Sequence, residues 1–377
     1  MRRLAIAAVA CLVTLAPHAQ AVELDNARAE KLAKQNALGK TSLAFVQETA
    51  KRIKDPKTKK TVLAILANPA PTFMARYPDA PAKEAIRARL VSEGLLAATV
   101  TVADLFPPLD SPEKSPLSFL ATPGGTPDHH HDYPGGLAEH TAFNLQAALD
   151  LEKNYKVRYG VTLDPDLIIA APILHDAYKA WVFQWTKDGS QFKQATLAGT
   201  GCHHPFGVAE SIHRGLPAEL VVAQAAAHDP PGIAPEKVIA YLRAAALLAG
   251  ADPVAKGYLA RAEDGSWSLA KLPSFEATVN HLSDHDYILT DPAGRSVADS
   301  LERLIRGEAK ARGAADVDMS TVRWARTRIK TRVPQMRIYA ELRAGGDDAV
   351  RALLAAKKIV LLDAADGALV VGTAPKP

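Results

Sequence analysis

Between residues 136 and 262 one helix-patterned segment follows another, and each brings a histidine or an acid with it. GLAEHTAFNLQAALDLEKNY, DPDLIIAAPILHDAYKAWVF, PAELVVAQAAAHD and PEKVIAYLRAAALLAGADPVAKGYL space their apolar residues as buried helices do. The polar groups fall at His140, His175-Asp176, His203-His204, His228-Asp229 and Asp252, at intervals of 24 to 35 residues. Each interval holds one helix and one connection. A helical bundle can therefore turn one imidazole or carboxylate from each helix toward a common centre. No strand ladder or internal repeat competes with this pattern, so the expected fold class is mainly α.

Imidazoles and carboxylates without thiolates suit manganese, iron, nickel, zinc or magnesium at a catalytic site. Five or six such ligands exceed what one tetrahedral zinc needs. The expectation is two divalent cations sharing a carboxylate, an arrangement that clamps a phosphoryl group and lowers the pKa of a water. Asp176 is the natural bridge, being a carboxylate beside a ligand histidine. A lone helical histidine is more often structural; the joint pattern carries the argument.

The stretch DHHHDYPGGLAEHT, residues 128 to 141, concentrates four of these imidazoles around a Pro-Gly-Gly turn. The turn is expected to start a helix, to set His140 one turn inside it and to keep the approach to the metals open. His129, His130 and His131 would then flank the entrance, either binding substrate phosphate or forming an exposed loop cluster. His203 and His204 compete for one ligand position. His281 and His285 have helical i, i+4 spacing, but with no third ligand assured a plain helix is preferred. His213 reads as a surface residue. Trp181 and Trp185 read as core. RWARTRIKTR, residues 323 to 332, carries five basic residues and Trp324; a solvated helix face is preferred over a nucleic-acid contact.

HHDYPGGLAEHT (130–141), LHDAYK (174–179), GCHHPFG (201–207), AAHDPPG (226–232) and AGADPV (249–254) together resemble the HD-domain superfamily of metal-dependent phosphohydrolases, in its exoribonuclease-like and relaxase-associated branches. The likeness covers roughly residues 125 to 260. It implies an HD-type helical bundle core and metal ligation by His140, His175, Asp176, His203, His228 and Asp252. It places Lys179 near the phosphate or in support of Asp176, and makes His130, His131 and Lys179 the catalytic candidates. Asp229 stands where relatives often have a second histidine. The implied activity is hydrolysis of a phosphoester (a nucleotide, cyclic nucleotide or short oligonucleotide) by a metal-activated water. Two rivals are a di-iron oxygenase of the same fold and a non-catalytic module binding metal or nucleotide.

The remaining chain sets the frame. Residues 1–21 pair two arginines with a short apolar run and end on Ala19-Gln20-Ala21, the pattern of a secretory signal peptide; export to the periplasm or beyond is expected, with no stable membrane span afterwards. Without Arg2 and Arg3 the formal charge of +4 falls to about +2, which argues against a strong double-stranded nucleic-acid footprint. Cys11 would leave with the leader, so Cys202 has no disulfide partner. An N-terminal helical region is expected over 22–120, the metal-binding core over 121–265, and a C-terminal helical region over 266–377. That last region would include a small β-hairpin around Asp366-Gly367.

Overall fold

The computed structural model describes residues 24–313 and 317–363, and over these the chain is mainly helical. The leader-like segment and the hairpin expected around Asp366-Gly367 lie outside the described residues.

The N-terminal stretch 24–66, which reads as helical, forms three helices: α1 (Asn26–Ala33), α2 (Ala37–Ala50) and α3 (Pro56–Ala67). Asp25, Asn36 and Asp55 each accept a hydrogen bond from the backbone amide three residues on, so each starts a new helix. After α4 (Ala80–Ser92) and the short α5 (Val102–Leu105), the proline-rich stretch leads without regular structure to α6 (Gly136–Tyr159). Helix α7 (Pro165–Leu174) stops just before the His175-Asp176 doublet, and α8 (Lys179–Val182) follows it after one turn. A two-residue pair of strands, β1 (Thr196–Leu197) and β2 (Thr200–Gly201), leads into α9 (His203–His213), α10 (Ala218–Ala225) and α11 (Pro235–Ala249). A small antiparallel hairpin, β3 (Leu259–Arg261) and β4 (Trp267–Leu269), precedes α12 (Phe275–Ser283), α13 (Tyr287–Ala311), α14 (Met319–Arg332) and α15 (Gln335–Ala356).

Packing ignores the boundaries expected at 120 and 265. One apolar core takes Val46, Ile65, Phe73 and Phe106 from the N-terminal region, Trp181 and Phe206 from the middle, and Ala277 from α12. The break at 265 falls in the turn of the β3–β4 hairpin, and α12 beyond it packs on α6, α7 and α10. Trp181 is fully buried and stacks on Phe206 at 4.8 Å between centroids; Trp185 is also buried, so both tryptophans are core.

A second apolar cluster joins α13, α14 and α15 through Val297, Leu301, Ile329, Ile338 and Leu354. It corrects the reading of RWARTRIKTR as a solvated face. That segment is α14, and Arg326, Arg328 and Lys330 are buried. Arg326 donates to Asp128 at 2.7 Å, and Lys330 pairs with Asp132. Two of the basic side chains thus neutralise acids of the histidine loop, some 198 residues away in sequence. Buried charges persist only when paired in this way.

Candidate metal centre

His140 lies on the second turn of α6, where Gly135 and Gly136 allow the chain to enter the helix. Gly135 has φ +102°, and a Cβ there would fall 2.1 Å from Asn36 Nδ2. A Cβ on Gly136 would fall 1.9 Å from the carbonyl oxygen of His131. The glycines are required by the close approach of Asn36 and of the histidine loop, not by an open path to the metals as the sequence suggested.

His175 and Asp176 occupy the turn between α7 and α8. The carbonyl of Pro172, inside α7, accepts from His175 Nδ1 at 2.8 Å. That bond fixes the tautomer and leaves Nε2 for a ligand. His175 Nε2 stands 3.3 Å from Asp176 Oδ2 and 3.2 Å from Asp284 Oδ1. His140 Nε2 stands 3.1 Å and 3.0 Å from the same two oxygens. On the other side of Asp176, His203 Nε2 is 3.2 Å from Oδ1, and His228 Nε2 is 3.8 Å from it.

These atoms form two groups that share Asp176: His140, His175, Asp176 and Asp284, and Asp176, His203 and His228. Donors bound at about 2.1 Å in mutually perpendicular directions lie about 3 Å apart, so the spacing in the first group matches one cation. His175 Nε2, Asp176 Oδ1 and His203 Nε2 are buried without a hydrogen-bond partner in the structure. Orphaned donor atoms converging in this way are what a metal would satisfy, and the residues fit the expected divalent cations.

Asp284 corrects the closing ligand. Asp252 lies in the turn after α11, where its carboxylate accepts from the Val254 amide at 2.9 Å, and it lines a different cleft. Asp284 ends α12 and is held by Asn144, one turn beyond His140, whose Nδ2 donates to Oδ1 at 2.8 Å. His204 is turned away from Asp176, with Nε2 bonded to the Ala225 carbonyl at 3.0 Å, so His203 faces the centre. Asp229 accepts from Tyr241 and Lys237 and takes no part. His281 and His285 direct Nδ1 to the carbonyls of Ala227 and His281, and among the described residues they join no metal-binding group. His213 is exposed.

Electrostatics follow from burial opposed by pairing. Burial alone would lower His175, but Asp176 and Asp284 outweigh it and push it up to about 10. Burial favours neutral carboxyls, yet His175 and the other cationic neighbours hold Asp176 and Asp284 well below the usual carboxylate range. His203, where burial prevails, falls to about 4. The first group is therefore charge-dense, whereas His203 in the second is held neutral.

Lys179, 5% exposed, donates to Asp176 Oδ2 and to the Gly124 carbonyl, both at 2.5 Å. It supports Asp176 and ties it to the start of the histidine loop. His203 Nδ1 contacts Gln194 Oε1 at 2.6 Å and His228 Nδ1 contacts Thr200 Oγ1 at 3.1 Å, which orients both rings.

The three loop histidines separate. His129 and His130 line the site cavity, of about 220 Å³, together with Lys179, Gln194 and Tyr287. Asp291 of α13 binds both: His129 Nδ1 at 2.8 Å and His130 Nδ1 at 3.2 Å. His131 does not line that cavity; it is buried with Nδ1 unpartnered and lines a separate, largely apolar groove with Tyr133 and Glu139. Burial lowers both His130 and His131, and for His130 the Asp291 carboxylate opposes the change.

Asp284 and Asp291 are what the sequence reading missed. Asp284 sits inside NHLSDHDY, a stretch noticed for its histidines. Asp291, within YILTDPAG, carries no local signal.

No family model matches the chain, and no solved structure matches it. A dihydroneopterin 2',3'-cyclic phosphate phosphodiesterase of Methanocaldococcus jannaschii is 28% identical over 194 residues, 51% of this chain. The match spans 62% of that protein's own length. A chain with a shared-carboxylate cluster able to hold metal thus has a phosphodiesterase as a distant homologue.

Proposed function

We propose that this chain is an HD-type, metal-dependent phosphohydrolase that cleaves a small phosphodiester, with a 2',3'-cyclic phosphate as the favoured substrate class. The observation that carries the reading is Asp176, whose two oxygens face separate histidine sets. His140, His175, Asp176 and Asp284 would hold one cation, and Asp176, His203 and His228 a second. Bound there, divalent cations would neutralise phosphoryl charge and lower the pKa of a water. The phosphodiesterase relative supports the reaction class.

The chain's own residues do the rest. Lys179 fixes the Asp176 carboxylate and is a positioning residue. His130 has Nδ1 engaged by Asp291, which leaves Nε2 for the cavity. Asp291 opposes the burial that lowers the pKa of that ring, and the imidazolium so supported would donate a proton to the leaving oxygen as the phosphorus–oxygen bond breaks. His129 lies beside it, able to contact a phosphate oxygen. The cavity admits a phosphoryl group and part of its sugar, while the rest of a nucleotide would lie outside.

The test is metal analysis of purified protein, then turnover of a phosphoester panel containing 2',3'-cyclic, 3',5'-cyclic and linear nucleotides, with each metal restored. About two metal equivalents and preferential opening of a 2',3'-cyclic phosphate are expected. Bound metal without turnover of any ester would replace this reading with that of a non-catalytic binding module.

A further inference from the structure

A second cleft, of about 510 Å³, lies between Arg76, the ends of α4 and α11, and the β3–β4 hairpin. It shares no lining residue with the metal centre. Four guanidinium groups face it, from Arg76, Arg89, Arg243 and Arg261, against two carboxylates, Glu93 and Asp252. Arg243 is paired with Glu93 at 2.8 Å, and Asp252 is engaged by turn amides. Among the described residues Arg76, Arg89 and Arg261 form no salt bridge.

Arg76 has a structural reason to be there. It packs on the C-terminal end of α11 so closely that a Cβ on Gly250 would fall 2.0 Å from its Nη2, and cations favour helix C-termini. That reason does not extend to Arg89 on α4 or Arg261 on the hairpin. Like charges converging from three elements repel one another unless an anion joins them. Trp267 adds a flat surface, with the guanidinium carbons of Arg261 and Arg243 at 4.9 Å and 5.4 Å from its ring centroid. Guanidinium forks match phosphate oxygens, and planar cations and indoles accept a nucleobase face. The volume lies in the range of small-molecule sites.

We propose that this cleft binds a nucleoside diphosphate, its phosphates held by Arg76, Arg89 and Arg243 and its base laid against Arg261 and Trp267. This site is independent of the metal centre and does not rest on the activity proposed above. The probes are α,β-methylene ADP, inorganic pyrophosphate and adenosine, titrated calorimetrically into the full chain as purified. The methylene analogue should bind at least about tenfold more tightly than either fragment. Arg89→Glu, on an exposed helix face, should weaken it by about tenfold or more, and Arg261→Ala should remove its advantage over pyrophosphate. His228→Asn at the metal centre should leave its binding unchanged. Pyrophosphate binding as tightly as the analogue would overturn the nucleotide assignment. Absence of binding at millimolar analogue would overturn the site, as would binding sensitive to His228→Asn and indifferent to Arg89→Glu.

Discussion

The two halves of the candidate metal centre differ in dryness and in how closely carboxylates approach the imidazoles. In the half formed by His140, His175 and Asp284, side-chain exposure is 8% or less, and donor atoms approach to between 3.0 and 3.3 Å. In the half formed by His203 and His228, the latter is 22% exposed and stands 3.8 Å from Asp176. In the dry half two carboxylate oxygens stand within 3.3 Å of the imidazoles; in the wet half Asp176 Oδ1 alone comes that close to a ring, to His203, and the other oxygen of Asp284 lies 3.9 Å from His228. Coulombic attraction is far stronger where water is excluded. The dry half should therefore hold its ion tightly and the wet half should exchange its ion.

The largest test of that contrast removes what both halves share. Asp176→Asn should bring metal content from about two equivalents to fewer than one, and activity down by at least about a thousandfold, the worth of several kcal/mol of lost charge stabilisation. Retention of both ions would mean the carboxylate does not bridge. Next, Asp284→Asn and His228→Asn should differ: the first should lower total metal content more, the second should leave about one tightly held equivalent. A reversed order would break the comparison. Timed chelation offers a subtler measure. Metal release from the unaltered protein should be biphasic, and His228→Asn should lack the fast phase.

A smaller effect is expected beyond the ligands. Asp291→Asn should lower turnover by about 10- to 100-fold with metal content unchanged. The sign of its pH effect follows from His130, whose imidazolium Asp291 supports. Without the carboxylate that pKa falls, so the alkaline limb of the pH–rate profile should move to lower pH. A fixed limb would remove His130 from the proton transfer. Smallest of all, Asp252→Asn should leave metal content unchanged and activity within about twofold, as for a surface turn.

The sequence gives away the helical class and the first half of the site, because His140, His175 and Asp176 sit at the ends of strongly patterned helices. That His140, His175, Asp176, His203 and His228 come together, with Asp176 common to two groups, was legible. Asp284 was not, since its selection depends on α12 returning to pack against α6, a long-range event with no local mark. The basic helix misled for a related reason. Charge in a sequence implies solvent by default, whereas Arg326 and Lys330 meet their acids only after the chain has folded. The glycine pair announced a turn, but its cause, Asn36 pressing from α2, lies about a hundred residues earlier.

Because Asp284 and the Asp291 brace both come from beyond the expected core, a chain interrupted before residue 284 would carry the recognisable histidine–aspartate doublet and still lack an acid that completes the drier cage. Completion of the cluster is thereby withheld until late in synthesis and folding: an incomplete product can carry the motifs without the full set of side chains able to hold a metal.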